Sequence, residues 1–146
     1  MPNIETKRSK RIKTLVALVA LIVSQLLTGC AVSIGKEWCE VSAENVHHSK
    51  GTPSDMVAKS RATCTAPVQV SGYVEIQKKG FFGNWETYTR EDFKSFTVTP
   101  GRKVTRQAAV TCAQGTYRNK THVVATYGGE TKTGTAHSTP VSDPCK

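Results

Sequence analysis

Five cysteines are the residues whose type and spacing bear most directly on chemistry. A thiol can be acylated, oxidised to a disulfide, coordinate zinc or attack a substrate. The last four cysteines, which are separated by 25, 48 and 33 residues, are Cys39, Cys64, Cys112 and Cys145. Zinc motifs place two cysteines about two to four residues apart, so this spacing argues against zinc. In an exported chain the four predict two disulfides with three possible connectivities, and Cys30 is left over.

The residues before Cys30 predict export. A cluster of basic side chains between Lys7 and Lys13 precedes an apolar run from Leu15 to Leu27. A cationic start, a short apolar core and a small-residue cleavage site are typical of a secretory signal peptide. As a helix the run would be about 20 Å long, shorter than the hydrocarbon core of about 30 Å.

The sequence Leu27-Thr28-Gly29-Cys30 resembles the lipobox of bacterial lipoproteins. The resemblance implies that residues 1–29 are removed and that the sulfur of Cys30 carries diacylglycerol. It also implies two or three acyl chains, palmitate among them, enough for lasting membrane attachment. Ala31 stands where that family marks inner-membrane retention with aspartate, so the implied site is an outer membrane or the outer face of a cell membrane. Two alternatives remain open: plain secretion after cleavage at Ala31, and an uncleaved anchor extended to Ile34.

Length and charge limit the remaining chain. Removal of residues 1–29 leaves 117 residues, enough for one domain. The whole chain carries a formal charge of +9, and the part after the signal carries +5, spread along the sequence. Such a charge is typical of a solvated surface, although it would also favour anionic lipid, envelope polymer or an acidic protein. Nucleic acid is disfavoured, because no basic and aromatic interleaving occurs.

Alternating apolar and polar residues predict an all-β domain over residues 36–146, after a short tether over residues 30–35. Residues 47–60 contain Gly51, Pro53 and Ser54 and are predicted to form a loop, with a turn of helix or an edge strand near Met56. The predicted strands, labelled A to G, cover residues 36–46, 67–78, 84–90, 95–99, 103–112, 116–127 and 131–139.

Seven short strands with regular turns resemble an immunoglobulin-like β-sandwich, with a small open barrel as the alternative. In that arrangement strands B and E are antiparallel neighbours, which implies a Cys64–Cys112 disulfide and leaves Cys39 to pair with Cys145. Trp85, at the start of strand C, is expected in the core, as the tryptophan of such sandwiches is. Tyr117, at the start of strand F, resembles a tyrosine corner.

The turn between strands B and C carries the candidate binding residues. Phe81 and Phe82 lie between two glycines, beside Lys78, Lys79 and Trp85. Exposed aromatic residues with cations suit a protein interface or a membrane surface. The alternative is that the phenylalanines cover the open end of the sandwich.

No motif predicts catalysis, a cofactor or a metal site. Adjacent His47 and His48 diverge on an extended chain, and His122 and His137 complete no ligand spacing. Glu91 and Asp92 also diverge, and no serine lies in a nucleophile elbow. We therefore expect a non-enzymatic protein.

These observations together predict an extracytoplasmic lipoprotein that displays a small binding domain toward a protein or an envelope polymer. The alternative is an inhibitor or immunity protein that blocks a secreted hydrolase, a toxin or a phage. A tight one-to-one complex with an enzyme or toxin would distinguish this alternative. The fold alone does not decide between them.

Overall fold

The computed structural model describes residues 30–34 and 38–146, so the predicted signal peptide lies outside the described part of the chain. The described residues form β-strands and no helix, and they therefore include no apolar helix with the length needed to span a bilayer. The strands are β1 (Ala31–Ile34), β2 (Cys39–Ala43), β3 (His47–His48), β4 (Asp55–Cys64), β5 (Val68–Lys79), β6 (Trp85–Val98), β7 (Lys103–Thr111), β8 (Thr116–Tyr127), β9 (Glu130–His137) and β10 (Val141–Ser142).

The strands form two antiparallel sheets, and the apolar residues buried between them form two clusters. The first sheet has the order β1-β2-β4-β3, with β7 also paired to β4, and the second has the order β10-β8-β5-β6, with β9 paired to β8. Immunoglobulin-like sandwiches place strands A, B and E in one sheet and C, F and G in the other. Here β2, β4 and β7 occupy the first set of places, and β5, β8 and β9 occupy the second. The expected all-β sandwich is confirmed.

Strand β5 shows why this sequence forms a half-buried strand. Its inward residues Val68, Val70, Val74 and Ile76 are almost fully buried and contact both sheets' apolar residues. Gly72 interrupts the alternation at a register shift in the ladder with β6. A Cβ at Gly72, where φ is +152°, would lie 2.0 Å from the carbonyl oxygen of His122. Only glycine lets β5 and β8 approach this closely.

Two segments predicted to be irregular are strands. The predicted tether contains β1, whose residues pair one by one with β2 and whose Ile34 is 1% exposed. The predicted loop over residues 47–60 contains β3 and the first half of β4, which pairs with β2, β3 and β7. The turn residues around Pro53 do end one strand, but β4 begins immediately afterwards at Asp55. Its Met56, Val57 and Ala58 are all buried, so the period-two pattern is hidden.

The missed strand β4 makes the predicted disulfide pairing wrong. The cystines are Cys39–Cys64 and Cys112–Cys145. The rule that B and E are neighbours holds, but β4, not β5, occupies place B. In the β4–β7 ladder Thr63 lies opposite Lys103 and Asp55 opposite Thr111, so Cys64 and Cys112 lie at opposite ends of the sandwich. Cys39 lies directly opposite Cys64 on β2.

Of two further details of the fold, one differs from the sequence predictions and the other agrees with them. Predicted strands C and D are one continuous strand, β6, because residues 91–93 remain paired with β5 instead of turning, and pairing resumes at Phe96 after a register shift. The tyrosine-corner resemblance is supported by Tyr117, which is fully buried and whose hydroxyl donates a 3.3 Å hydrogen bond to the carbonyl of Gln114.

Candidate functional site

Phe81 and Phe82 form the tip of the hairpin that joins β5 to β6. The last pair of the ladder is Lys79 opposite Trp85, and the loop is closed by a 2.7 Å hydrogen bond from the amide of Gly80 to the carbonyl of Asn84. The two rings pack edge to face with centroids 5.3 Å apart. Phe81 is 97% exposed and Phe82 is 93% exposed. The alternative that they cover the end of the core is therefore wrong.

The backbone of this loop is better fixed than its side chains. The amide of Gly83 donates to the carbonyl of Gly80 at 3.0 Å, and Gly83 has a φ of +83°, a conformation that glycine adopts without strain. The Asn84 side chain donates to Glu86 at 2.7 Å. The loop thus holds two large apolar rings in solvent on a closed hairpin.

The other predicted binding residues point in three directions. Lys79 is exposed beside the tip. Lys78 is half-buried, with its Nζ 5.5 Å from the ring centroids of both Tyr88 and Tyr117. Trp85 is half-buried beneath the guanidinium of Arg118, whose central carbon lies 4.4 Å from the ring centroid. The structure therefore groups only Lys79 with the phenylalanine pair.

The expectation that Trp85 lies in the core is wrong, and a β-bulge explains why. The register of β5 and β6 shifts between Ile76 and Gln77, which leaves Tyr88 as an extra residue on β6. Tyr88 packs edge to face on buried Tyr117, with ring centroids 5.4 Å apart. An extra residue reverses the facing of the strand beyond it, so Trp85 lies on the outer face of the second sheet with Gln77.

A second candidate site, absent from the sequence predictions, lies on that outer face. We call it the cationic cluster. It consists of five residues of β5, β8 and β9, with Trp85 of β6 beside them: Glu75, Gln77, Arg118, Lys120 and His137. Gln77 lies opposite Arg118 in the β5–β8 ladder, Glu75 lies opposite Lys120, and Lys120 lies opposite His137 of β9.

A chain of hydrogen bonds orders the cluster. The Arg118 Nε donates to Gln77 Oε1 at 2.8 Å, and the Gln77 Nε2 donates to Glu75 Oε1 at 2.6 Å. Glu75 is 3% exposed and Gln77 is 6% exposed, although both lie on the outward face of the sheet. Neighbouring side chains therefore cover both residues.

Burial and charge act together on two titratable groups of the cluster. Burial lowers the pKa of Arg118 below its usual value, and the nearby Glu75 opposes this. Burial also lowers the pKa of His137, helped by the positive charges of Arg118 and Lys120 and opposed by Glu75. Among the described residues, neither Arg118 nor Lys120 forms an ion pair with a carboxylate. The cluster is thus positively charged and incompletely neutralised.

Tyr73 separates the cluster from the Arg90–Asp92 ion pair, which lies farther along the same face. The ring of Tyr73 stacks on His122 at 5.3 Å between centroids, and the Arg90 guanidinium lies 3.7 Å from the Tyr73 centroid. Arg90 also binds Asp92 through two hydrogen bonds of 2.6 and 2.9 Å, which raise the pKa of Arg90. This pair is internally satisfied.

Cys30 is exposed and is the one described cysteine outside a disulfide. Its carbonyl accepts a 3.2 Å hydrogen bond from the amide of Ala43, and β1 begins at the next residue. Where the described chain starts, the backbone therefore already belongs to the edge of the first sheet.

The described side chains form no metal-ligand cluster of three or more His, Cys, Asp or Glu residues. The two adjacent histidines instead contact local backbone: His47 Nδ1 lies 2.9 Å from the carbonyl oxygen of Asn45, and His48 contacts the carbonyl of Pro53. A depression of about 150 Å³ beside Cys112–Cys145 contains Asp143 and Lys146, which bind each other. A second, of about 220 Å³ beside Cys39–Cys64, contains Glu40.

Sequence reasoning missed the cationic cluster because no local motif marks it. Arg118, Lys120 and His122 alternate along β8, so they lie on one face of the strand. Gln77 and His137 join them only through the registers of β5 and β9. A search for alternating basic residues in a strand opposite an alternating Glu and Gln would have found the pattern.

Comparison with known proteins supports the fold and no particular function. No family model matches the sequence, and no curated protein matches it. The fold is similar to the crystal structure of a chain described as an ApaA protein from Bordetella pertussis, with a TM-score of 0.50 and 18% sequence identity. The similarity covers 73% of this chain and 94% of the other.

Proposed function

We propose that this chain is an extracytoplasmic lipoprotein, anchored through Cys30, that displays its β-sandwich as a non-enzymatic binding domain. The observation that carries the proposal is the distribution of the sulfurs. Four cysteines pair within the sandwich, and the one left exposed is the residue that ends the lipobox-like sequence. Two disulfides are also typical of a protein outside the cytoplasm.

The proposed anchor places the protein at a cell membrane or an outer membrane. A thioether-linked diacylglycerol with an additional acyl chain gives lasting attachment, because single chains bind membranes only marginally. Cys30 is accessible for this chemistry, because its side chain is exposed at the sheet edge.

Mass spectrometry of the purified protein tests the anchor. We expect the mature N-terminus at Cys30, with the mass of a diacylglyceryl group and fatty acids released by saponification. Cys30→Ser should abolish this mass increase. An intact N-terminal segment without lipid would disprove the anchor.

The proposed contact surface is the hairpin tip of Phe81 and Phe82. Two adjacent rings that are almost fully exposed are unusual on a monomer, and paired aromatic residues are common at interface centres. Lys79 beside them adds positive charge, which suits a partner with an apolar pocket and an acidic rim. The partner would be a protein or an envelope polymer.

Affinity capture from envelope extracts tests this surface. We expect the detergent-purified lipoprotein to retain a partner that the double variant Phe81→Ser, Phe82→Ser does not retain. The matched control is Tyr127→Ser, which removes an aromatic ring that is 41% exposed near the β8–β9 turn. Equal capture by both variants would exclude the tip as the contact surface.

The shape of the tip also supports a second function, an inhibitor or immunity protein. A closed five-residue loop that projects two rings can enter the cleft of a secreted hydrolase or toxin. In that case the captured partner is an enzyme or toxin, the complex has one-to-one stoichiometry, and its activity falls when the lipoprotein is added. The double variant should not inhibit it.

A further inference from the structure

We propose that the cationic cluster on the outer face of the second sheet binds a phosphate group. The site is formed by Arg118, Lys120 and His137 above the covered pair of Glu75 and Gln77. It lies apart from the phenylalanine tip and from Cys30, so this inference rests on neither the anchor nor the contact surface proposed above.

The guanidinium of Arg118 is held in position before any ligand arrives. Trp85 lies beneath its plane at 4.4 Å, and Gln77 Oε1 accepts from its Nε at 2.8 Å. The two terminal nitrogens donate to no partner among the described residues. They form the planar fork that pairs with two oxygens of a phosphate. A positioned fork loses little entropy on binding, so it is better suited to an anion than a mobile surface arginine.

The surrounding charges leave an excess of positive charge at this position. The Cα of Lys120 lies two residues along β8 from that of Arg118, about 7 Å away on the same face, and the Lys120 Nζ lies 5.7 Å from the ring centroid of Tyr73. Glu75 is the nearest carboxylate by ladder position, but it is buried and already accepts from Gln77. Asp92, farther along the face, is bound by Arg90. No described carboxylate therefore competes for the outward side of the Arg118 fork.

His137 gives the site a third contact and a proton. It lies opposite Lys120 in the β8–β9 ladder. The charged groups that face it are Arg118 and Lys120 of β8, which lower its pKa, and Glu75 of β5, which raises it. A bound dianion would reverse the effect of the two cations and favour the imidazolium, which donates a hydrogen bond.

Phosphate fits these groups better than a carboxylate. A tetrahedral dianion offers three oxygens that can meet the fork, the ammonium and the imidazole from one position. A planar monoanion offers two oxygens and half of the charge. The phosphate could be free in the periplasm or medium, or it could be the terminal phosphomonoester of an envelope molecule, and both sources present a dianionic group with at least three free oxygens.

Titration with inorganic phosphate at pH 7 tests the proposal on the full-length protein in detergent. The chain has two tryptophans, so the variant Trp38→Phe reports Trp85 fluorescence alone. We expect a saturable change in that fluorescence and a rise in the pKa of His137 followed by NMR. Sodium chloride at matched ionic strength should produce neither. An unsaturable response, or an equal response to chloride, would overturn the proposal.

Variants locate the effect. Arg118→Met should weaken phosphate binding about tenfold or more, because it removes the charge-assisted fork. Arg118→Lys should recover part of the affinity, because it restores charge without the fork. The matched control Arg61→Met removes an exposed arginine that pairs with Glu44 on the first sheet, and it should leave binding unchanged. Full binding by Arg118→Met would place the anion elsewhere and disprove the site.

A second titration, with glycerol phosphate as a phosphomonoester, identifies the source of the phosphate. Tighter binding of glycerol phosphate supports an envelope phosphomonoester, tighter binding of inorganic phosphate supports the free ion, and binding of neither overturns the proposal. The double variant Phe81→Ser, Phe82→Ser should retain the phosphate response. This variant therefore distinguishes a wrong assignment of the phosphate site from a wrong assignment of the contact surface.

Discussion

The hairpin tip and the cationic cluster share strand β5, but they are built in opposite ways. At the tip, Phe81 and Phe82 contact each other and little else, and each is more than nine-tenths exposed. In the cluster, Arg118 contacts Trp85 and Gln77, and Gln77 contacts Glu75. The tip is therefore apolar surface held by backbone, whereas the cluster is polar surface held by side chains.

This difference predicts different responses to mutation. A side chain that contacts little contributes little to folding, so its removal should affect binding alone. A side chain that orders its neighbours contributes to both folding and binding. Substitutions at the tip should therefore change binding without changing stability, whereas substitutions in the cluster should change both.

The largest expected difference comes from the same substitution at two glycines. Gly72→Ala places a Cβ 2.0 Å from the carbonyl of His122 in the strand that carries the cluster, and should lower the free energy of unfolding by about 3 kcal/mol. Gly83→Ala, in the tip, meets only Lys79 Cε at 3.9 Å, an ordinary contact, and the strain of its φ of +83°, about 1 kcal/mol. Urea unfolding measures both, and equal losses would contradict the contrast.

The next effect concerns the hydrogen-bond chain of the cluster. Gln77→Ala leaves the buried Glu75 without its partner and Arg118 without its positioning acceptor, and should cost about 1–3 kcal/mol. It should also weaken phosphate binding. Gln107→Ala, at an exposed position of the first sheet, is the matched control and should be neutral. A neutral Gln77→Ala would show that the chain of bonds does not order the cluster.

A smaller effect should appear as pH dependence from His137. Its pKa in the folded protein lies below the usual 6.5 because of burial and the neighbouring cations. Between the folded and unfolded pKa values the unfolded chain binds more protons, so the stability contributed by the neutral imidazole is present above pH 6.5 and lost as pH falls. Urea midpoints between pH 5 and 7.5 measure this slope, and His137→Asn should flatten it. An unchanged slope in the variant would assign it to another group.

The smallest effect is expected at the tip itself. Phe81→Ser with Phe82→Ser removes rings that are already in solvent, so the free energy of unfolding should change by less than about 0.5 kcal/mol. Thermal unfolding measures the change. A loss of several kcal/mol would mean that the rings are buried in the native protein, and the tip would then no longer differ from the cluster.

The sequence predicts this fold well where one face of a strand is buried and the other is exposed to solvent. The alternation from Val68 to Gln77 predicted β5, and the Lys78–Trp85 turn predicted its hairpin. Strand β4 was missed because Met56, Val57 and Ala58 are all buried, which erases the alternation, and because Pro53 and Ser54 indicate a turn. That single omission moved label B from β4 to β5 and label C from β5 to β6, and it produced the wrong disulfides, whereas labels A, E, F and G were unaffected.

The candidate sites were predictable to different extents for a related reason. Phe81 and Phe82 are neighbours in sequence, so composition alone placed them together at a turn. The cationic cluster needs residues from β5, β8 and β9, and the position of Trp85 beside it depends on a bulge at Tyr88 of β6 that no local pattern predicted. The same bulge turned Trp85 from the core to the outer face, where it supports Arg118.

The position of Cys30 has a consequence for how far the domain can reach. Its carbonyl is already bonded to Ala43, and the following residue belongs to a strand that lies along the rim of the sandwich. If Cys30 carries a lipid, no flexible linker separates that lipid from the folded domain. The domain would then lie directly on the bilayer and extend above it by only about its own length. A molecule that the domain binds must then reach the membrane surface, unless β1 detaches from β2 and serves as a linker.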